Sequence, residues 1–93
     1  MKSSTYHVAH ILVKHQYEAE DLLKKIQEGK DFSELAQKYS TCPSSSRGGD
    51  LGVLKTGRAD PDFEEAALAL QPGEISTEPV RTRFGYHLIR RME

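Results

Sequence analysis

The amino-acid pattern predicts an α+β fold with helices packed on a mostly antiparallel sheet. Three observations predict it. Runs of β-branched, aromatic and aliphatic residues stand at both ends of the chain, over Tyr6–Val13 and Tyr86–Met92. Between them, three segments carry apolar residues at helical spacing. Turn-forming residues separate these segments and leave two shorter strand-like runs. The order is strand, helix, helix, strand, helix, strand, strand. Ninety-three residues suit a single domain spanning 1–93. A chain of this size buries roughly 60–70% of its unfolded surface, which supports one modest core without a disulfide.

Each element has a local cause. Tyr6–Val13 lacks Gly and Pro and reads as a buried strand. At a period of two, Tyr6, Val8, His10 and Leu12 share one face, and His7, Ala9, Ile11 and Val13 the other. Ala19, Leu22, Leu23 and Ile26 then mark a helix that Gly29 stops. Asp31-Phe32-Ser33-Glu34 resembles a capping box and opens a second helix bearing Phe32, Leu35, Ala36 and Tyr39. Ser40–Asp50, with Pro43, Gly48 and Gly49, reads as a polar loop of functional length. Leu51–Lys55 is a short strand closed by a turn at Thr56-Gly57. Asp60-Pro61 is a helix cap followed by proline at the first helical position. Phe63, Ala66, Ala67 and Leu70 form the inner face of that helix, and Gln71-Pro72-Gly73 ends it. Glu78–Arg81 is a further short strand, and Phe84-Gly85 turns into the last one. There His87, Ile89 and Arg91 share a face.

Composition excludes several classes. Net charge is −1, from 13 basic and 14 acidic residues, so no broad field attracts nucleic acid or anionic lipid. Arg81, Arg83, Arg90 and Arg91 read as solvated charges on a strand edge. No apolar run approaches the roughly 20 residues of a membrane span, and Met1–His7 lacks the apolar segment of a signal peptide. The single cysteine, Cys42, has no internal partner, which agrees with a reducing compartment. A cytoplasmic monomer is expected, exported only if the sequence is cut from a longer protein.

Candidate chemistry centres on the histidines and Cys42. His7 and His10 face opposite ways on one strand, and the sequence has neither a Cys-x-x-Cys nor a His-Glu-x-x-His pattern. No metal site or other cofactor is therefore expected. A Cys42/His nucleophile needs an oxyanion hole and a larger cleft than this chain builds beside its core. Gly48-Gly49 lacks the Gly-Lys-Ser/Thr of a phosphate-binding loop.

Taken together, the motifs resemble a known family. They run from His10-Ile11-Leu12-Val13-Lys14 to Cys42 and Arg47-Gly48-Gly49-Asp50-Leu51-Gly52. Pro61-Asp62-Phe63-Glu64, Pro72-Gly73-Glu74-Ile75-Ser76 and Pro79-Val80 follow, and Phe84-Gly85-Tyr86-His87-Leu88-Ile89 closes the set. This collinear order is similar to that of the parvulin prolyl isomerases, especially the single-domain bacterial members, over nearly the whole chain. The resemblance implies a parvulin-like domain of the FKBP-like superfold: a four-stranded antiparallel sheet surrounded by helices, with a short helical turn after Cys42. It implies peptidyl-prolyl cis-trans isomerase activity on proline-containing peptides and unfolded proteins. His10 and His87 match the paired histidines of the family. Cys42 matches a position where many relatives carry Asp, and Thr82 matches a hydroxyl in the histidine network. Leu51, Phe63 and Phe84 match the substrate pocket. Ala59 stands where the pocket wall is commonly Met, which implies a wider or shallower pocket. The matching stretch Lys14–Glu20 holds one Lys and two Glu, unlike the basic loop of the phosphate-specific branch. The alternative within this resemblance is a chaperone-like module that holds extended proline-containing segments with little catalysis.

Overall fold

The computed structural model describes residues 5–93. The first four residues of the polar stretch read above for its lack of a signal segment lie outside the described residues. The chain runs β1 (Thr5–Val13), α1 (Gln16–Gln27), α2 (Phe32–Tyr39), a short 3-10 helix (Pro43–Arg47), β2 (Asp50–Lys55), α3 (Pro61–Ala69), β3 (Val80–Thr82) and β4 (Gly85–Arg91). The four strands form one sheet in the order β2-β1-β4-β3, with every pairing antiparallel.

The period-two alternation of β1 sorts its side chains between two apolar clusters. Ala9, Ile11 and Val13 join Leu88 beneath α1 and α2, against Ala19, Leu22, Leu23, Phe32, Leu35 and Ala36. Tyr6 and Val8 face the other way and pack with Ile89 against Phe63 and Ala67 of α3. Val8, Ile11, Leu88 and Ile89 are fully buried at the centre of the sheet. Each contributes about 1.5–3 kcal/mol of burial, so the two central strands form a stiff base beneath α3.

The expected caps form. Asp31 accepts the Glu34 N–H at the start of α2, and Asp60 accepts the Asp62 N–H at the start of α3. Two local readings change. Ser40–Asp50 is not wholly loop: Pro43 begins a turn of 3-10 helix, as the family resemblance implied, and Gly48 ends it with a left-handed backbone. Nor do Arg90 and Arg91 stand on a strand edge, because β4 lies inside the sheet. Arg91 Nη1 donates to the Leu70 carbonyl at 2.7 Å and to that of Leu68 at 3.4 Å. These are carbonyls that the end of α3 leaves open. Arg81 and Arg83 remain exposed.

Candidate active site

The site begins with an irregularity between β1 and β2. Tyr6 pairs with Leu54 and His7 with Val53, but Ala9 pairs with Asp50. Two residues of β1 therefore span three of β2. The extra residue is accommodated at Gly52, whose φ of 73° suits glycine. This bulge turns both Leu51 and Leu54 toward the α3 side, although they stand three apart and a regular strand would oppose them. Gly49 is equally constrained. Its φ is 85°, its carbonyl accepts the His10 N–H at 2.9 Å, and an added Cβ would lie 2.3 Å from the His10 carbonyl oxygen. The glycine pair thus allows β2 to approach His10 closely.

Beyond the bulge, β1 finds other partners. Leu12 N–H donates to Ser40 Oγ at 3.1 Å, and the Leu12 carbonyl accepts the Thr41 N–H at 2.8 Å. These bonds stitch the segment before Cys42 to the strand that carries His10. On the opposite rim, the Glu64 carboxylate accepts the Tyr6 hydroxyl at 3.0 Å and the Gly57 N–H at 2.9 Å. It thereby ties β1 and the turn before Ala59 to α3. Burial and this carboxylate push the Tyr6 phenol up to about 12.

A cavity of about 370 Å³ results, lined by His10, Leu12, Thr41, Cys42, Pro43, Leu51, Leu54, Ala59, Asp60, Phe63, Phe84 and His87. Seven of the eight site residues expected from the sequence line it. The eighth, Thr82, is buried and bonded to His87. His10 and His87 come from neighbouring strands and sit 5% and 4% exposed. Their Nδ1 atoms share a hydrogen bond of 3.0 Å. His87 Nε2 bonds Thr82 Oγ1 at 2.7 Å, and Thr82 Oγ1 also accepts the Phe84 N–H at 3.1 Å. Phe63 meets both imidazoles in edge-type contacts, with centroids 5.5 Å from His10 and 5.1 Å from His87.

Burial lowers His10 to about 4, assisted by His87. Burial also lowers His87 to about 4, with Asp60 acting in the opposite direction. Both rings are neutral near pH 7. One proton then lies between the two Nδ1 atoms, so the chain from Thr82 runs in one of two directions. In either direction His10 Nε2 is left without a hydrogen-bond partner.

The other histidines stay apart from this pair. His7 leaves the opposite face of β1 and bonds Asp50 at 2.7 Å, and His15 caps α1 in the open. The sequence reading missed five cavity residues: Leu12, Thr41, Pro43, Leu54 and Asp60. Leu12 was available from the His10 face of the strand, and Asp60 was recognised only as a helix cap. Leu54 needed the bulge, which periodicity hides. The exposed Arg81 and Arg83 join Lys14 and His15 around a second groove beyond Phe84, a juxtaposition that strand periodicity does not show.

An apolar cavity on the α3 side of a four-stranded sheet, backed by two hydrogen-bonded neutral histidines, defines the class of domain. The chain belongs to the rotamase family, the PPIC-type PPIase domain, which matches residues 10–93. That family is the one named for peptidyl-prolyl isomerases. Among curated relatives, Foldase protein PrsA of Bacillus subtilis (strain 168) is 46% identical over 91% of this chain. Chaperone SurA of Burkholderia thailandensis is 44% identical over 90% of it. The chain spans 29% and 20% of their respective lengths. The solution structure of NmPin, the parvuline of Nitrosopumilus maritimus, superposes with a TM-score of 0.86 at 38% identity, each chain covering all of the other. The fold expected from the sequence is the one observed.

Proposed function

We propose that this domain rotates X-Pro bonds in peptides and unfolded proteins without a covalent intermediate and without dependence on phosphate. The observation that carries this reading is the cavity, whose mostly apolar wall closes on two neutral imidazoles. Phe63, Leu51, Leu54 and Ala59 grip the proline ring, and Phe84 forms the outer wall. Cys42 stands beside the rotating carbonyl, while Thr82 and His87 orient His10.

The magnitudes suit a non-covalent route. The rotational barrier is ~18–20 kcal/mol, and a thousandfold acceleration needs only about 4 kcal/mol. The twisted amide loses its polar planar resonance form. A dry pocket therefore disfavours the ground state more than the transition state. Held by its ring, the proline stays fixed while the preceding carbonyl swings. Neutral histidines supply hydrogen bonding without placing a charge against an amide that carries none.

A second reading is a module that holds extended proline segments with little turnover. It is favoured by the kinship with a protein named as a chaperone. A protease-free isomerisation assay on short X-Pro peptides separates the two. Acceleration well above the spontaneous rate supports the enzyme, whereas tight binding at the spontaneous rate supports the holder. Phosphoserine-Pro peptides should be turned over no faster than unmodified ones. The domain is proposed to act as a monomer, testable by sedimentation. Its curated relatives are longer foldases, and fractionation of cells making the native product decides between a cytoplasmic and an exported location.

A further inference from the structure

Among the described residues, Asp60 is the one carboxylate or permanently charged side chain in the cavity lining. Its side chain is only 12% exposed. One oxygen caps α3 by accepting the Asp62 N–H at 2.9 Å. The other faces Arg83 Nε at 3.8 Å, beyond hydrogen-bond range. A carboxylate oxygen on a largely shielded side chain is thus left without a hydrogen-bond donor and open to one from outside. Its field reaches the centre of the site, since Asp60 is the charge that acts on His87 against burial.

The neighbours leave room for a donor from outside. Ala59 keeps the adjoining wall small. Arg83 is a rim residue, 79% exposed, with its guanidinium 5.0 Å from the centre of the Phe84 ring. Moving it aside uncovers little.

We propose that Asp60 selects substrates with a Lys or Arg side chain next to the proline. This rests on the isomerase reading, because it seats the proline ring in this cavity. With the ring against Phe63, a flanking side chain crosses the rim. A cationic head there replaces Arg83 opposite the free oxygen, while an anionic one meets like charge. Lys14, Arg81 and Arg83 around the groove beyond Phe84 pull the other way. They are exposed and screened by salt, whereas Asp60 is screened much less.

The test compares kcat/KM at low salt for peptides with Lys, Arg, Leu, Glu or phosphoserine before proline, and with Lys, Leu or Glu after it. The wild type and the Asp60→Asn and Arg83→Gln variants are each measured. Asn still caps a helix, so Asp60→Asn removes the charge and keeps the fold. In one of the two series, the basic peptide should exceed the leucine peptide by about fivefold, near the upper end for an ion pair of this exposure. The ratio should fall close to one in Asp60→Asn and widen in Arg83→Gln. Dissociation constants of the same peptides, from amide chemical-shift titration, should follow the same order. If peptides bind with that order and none is isomerised, the isomerase reading fails and the role of Asp60 stands. Equal ratios in both series, a lead for the acidic peptides, or a basic preference that survives in Asp60→Asn overturns the proposal. So does a failure of every peptide to bind or turn over.

Discussion

Lowering the pH from 7 to 5 should strip stability from this fold through two residues. His10 and His87 have folded values near 4 against an ordinary 6.5. The unfolded chain therefore binds protons more readily than the native one. This contribution is fully present above about pH 6.5 and is lost as pH falls toward 4. By pH 5 each ring has given up about 2 kcal/mol, and the pair about 4 kcal/mol. A 93-residue domain holds about 5–14 kcal/mol in total, so the loss is over a quarter of it. In thermal terms it is a fall in Tm of roughly 15–30 °C. Asp50 does not confound this window. Its carboxyl is held below its ordinary range by the Gly52 N–H and then by His7, so its contribution is lost only at lower pH. Circular-dichroism melts at pH 7, 6 and 5 measure the slope. A His10→Leu/His87→Leu double variant, which retains His7 and His15, isolates the pair. The wild type should lose far more than the double variant over this range. Parallel melting curves for the two proteins would refute the reasoning.

Four further perturbations test the site. Gly49→Ala drives a Cβ against the His10 carbonyl oxygen and strains a positive φ; it should cost about 1–3 kcal/mol or more in urea denaturation, against a negligible change for the same substitution at exposed Lys30. Cys42→Asp should keep substantial isomerase activity while Cys42→Ala loses more, because an acceptor beside the carbonyl suffices in a non-covalent route; an inactive, folded Cys42→Asp protein would instead mark the thiol as a nucleophile. Phe63→Ala should remove most activity and about 3–5 kcal/mol of stability, so melting must accompany kinetics. Ala59→Met should tighten peptide binding by narrowing the cavity, and weaker binding in a folded variant would show that Ala59 does not face the proline.

The parts of this structure that were legible in the sequence are those governed by local repetition. Alternation in β1 separated Val8 and His10 from Ala9 and Ile11, and the sheet places them on opposite sides as that alternation requires. Asp31, Asp60 and Pro61 announced their helices through bonds within three residues. His10, Cys42, Thr82 and His87 were legible for a different reason. Their placement around one cavity was expected from resemblance, since nothing in 93 residues of spacing says that His10 Nδ1 meets His87 Nδ1 across 77 positions. What stayed hidden depends on departures from periodicity or on long side chains. The bulge at Gly52 turns Leu54 inward against its expected parity. Arg91 looked like a solvated charge because its partners, the carbonyls of Leu68 and Leu70, lie at the end of α3.

Asp60 belongs to both groups, and that makes it informative. As a cap it was visible, because capping is local. As a carboxylate in an otherwise apolar cavity it was invisible, because the cavity is assembled from β1, β2, α3, β4 and the segment before the 3-10 helix. A residue that only capped α3 could point its second oxygen into water at no cost. Here that oxygen sits on a largely shielded side chain at the edge of an apolar cavity, with no hydrogen-bond donor beside it. Capping occupies only one of the two oxygens, and the ratio of basic to leucine peptides in Asp60→Asn measures what the second one adds.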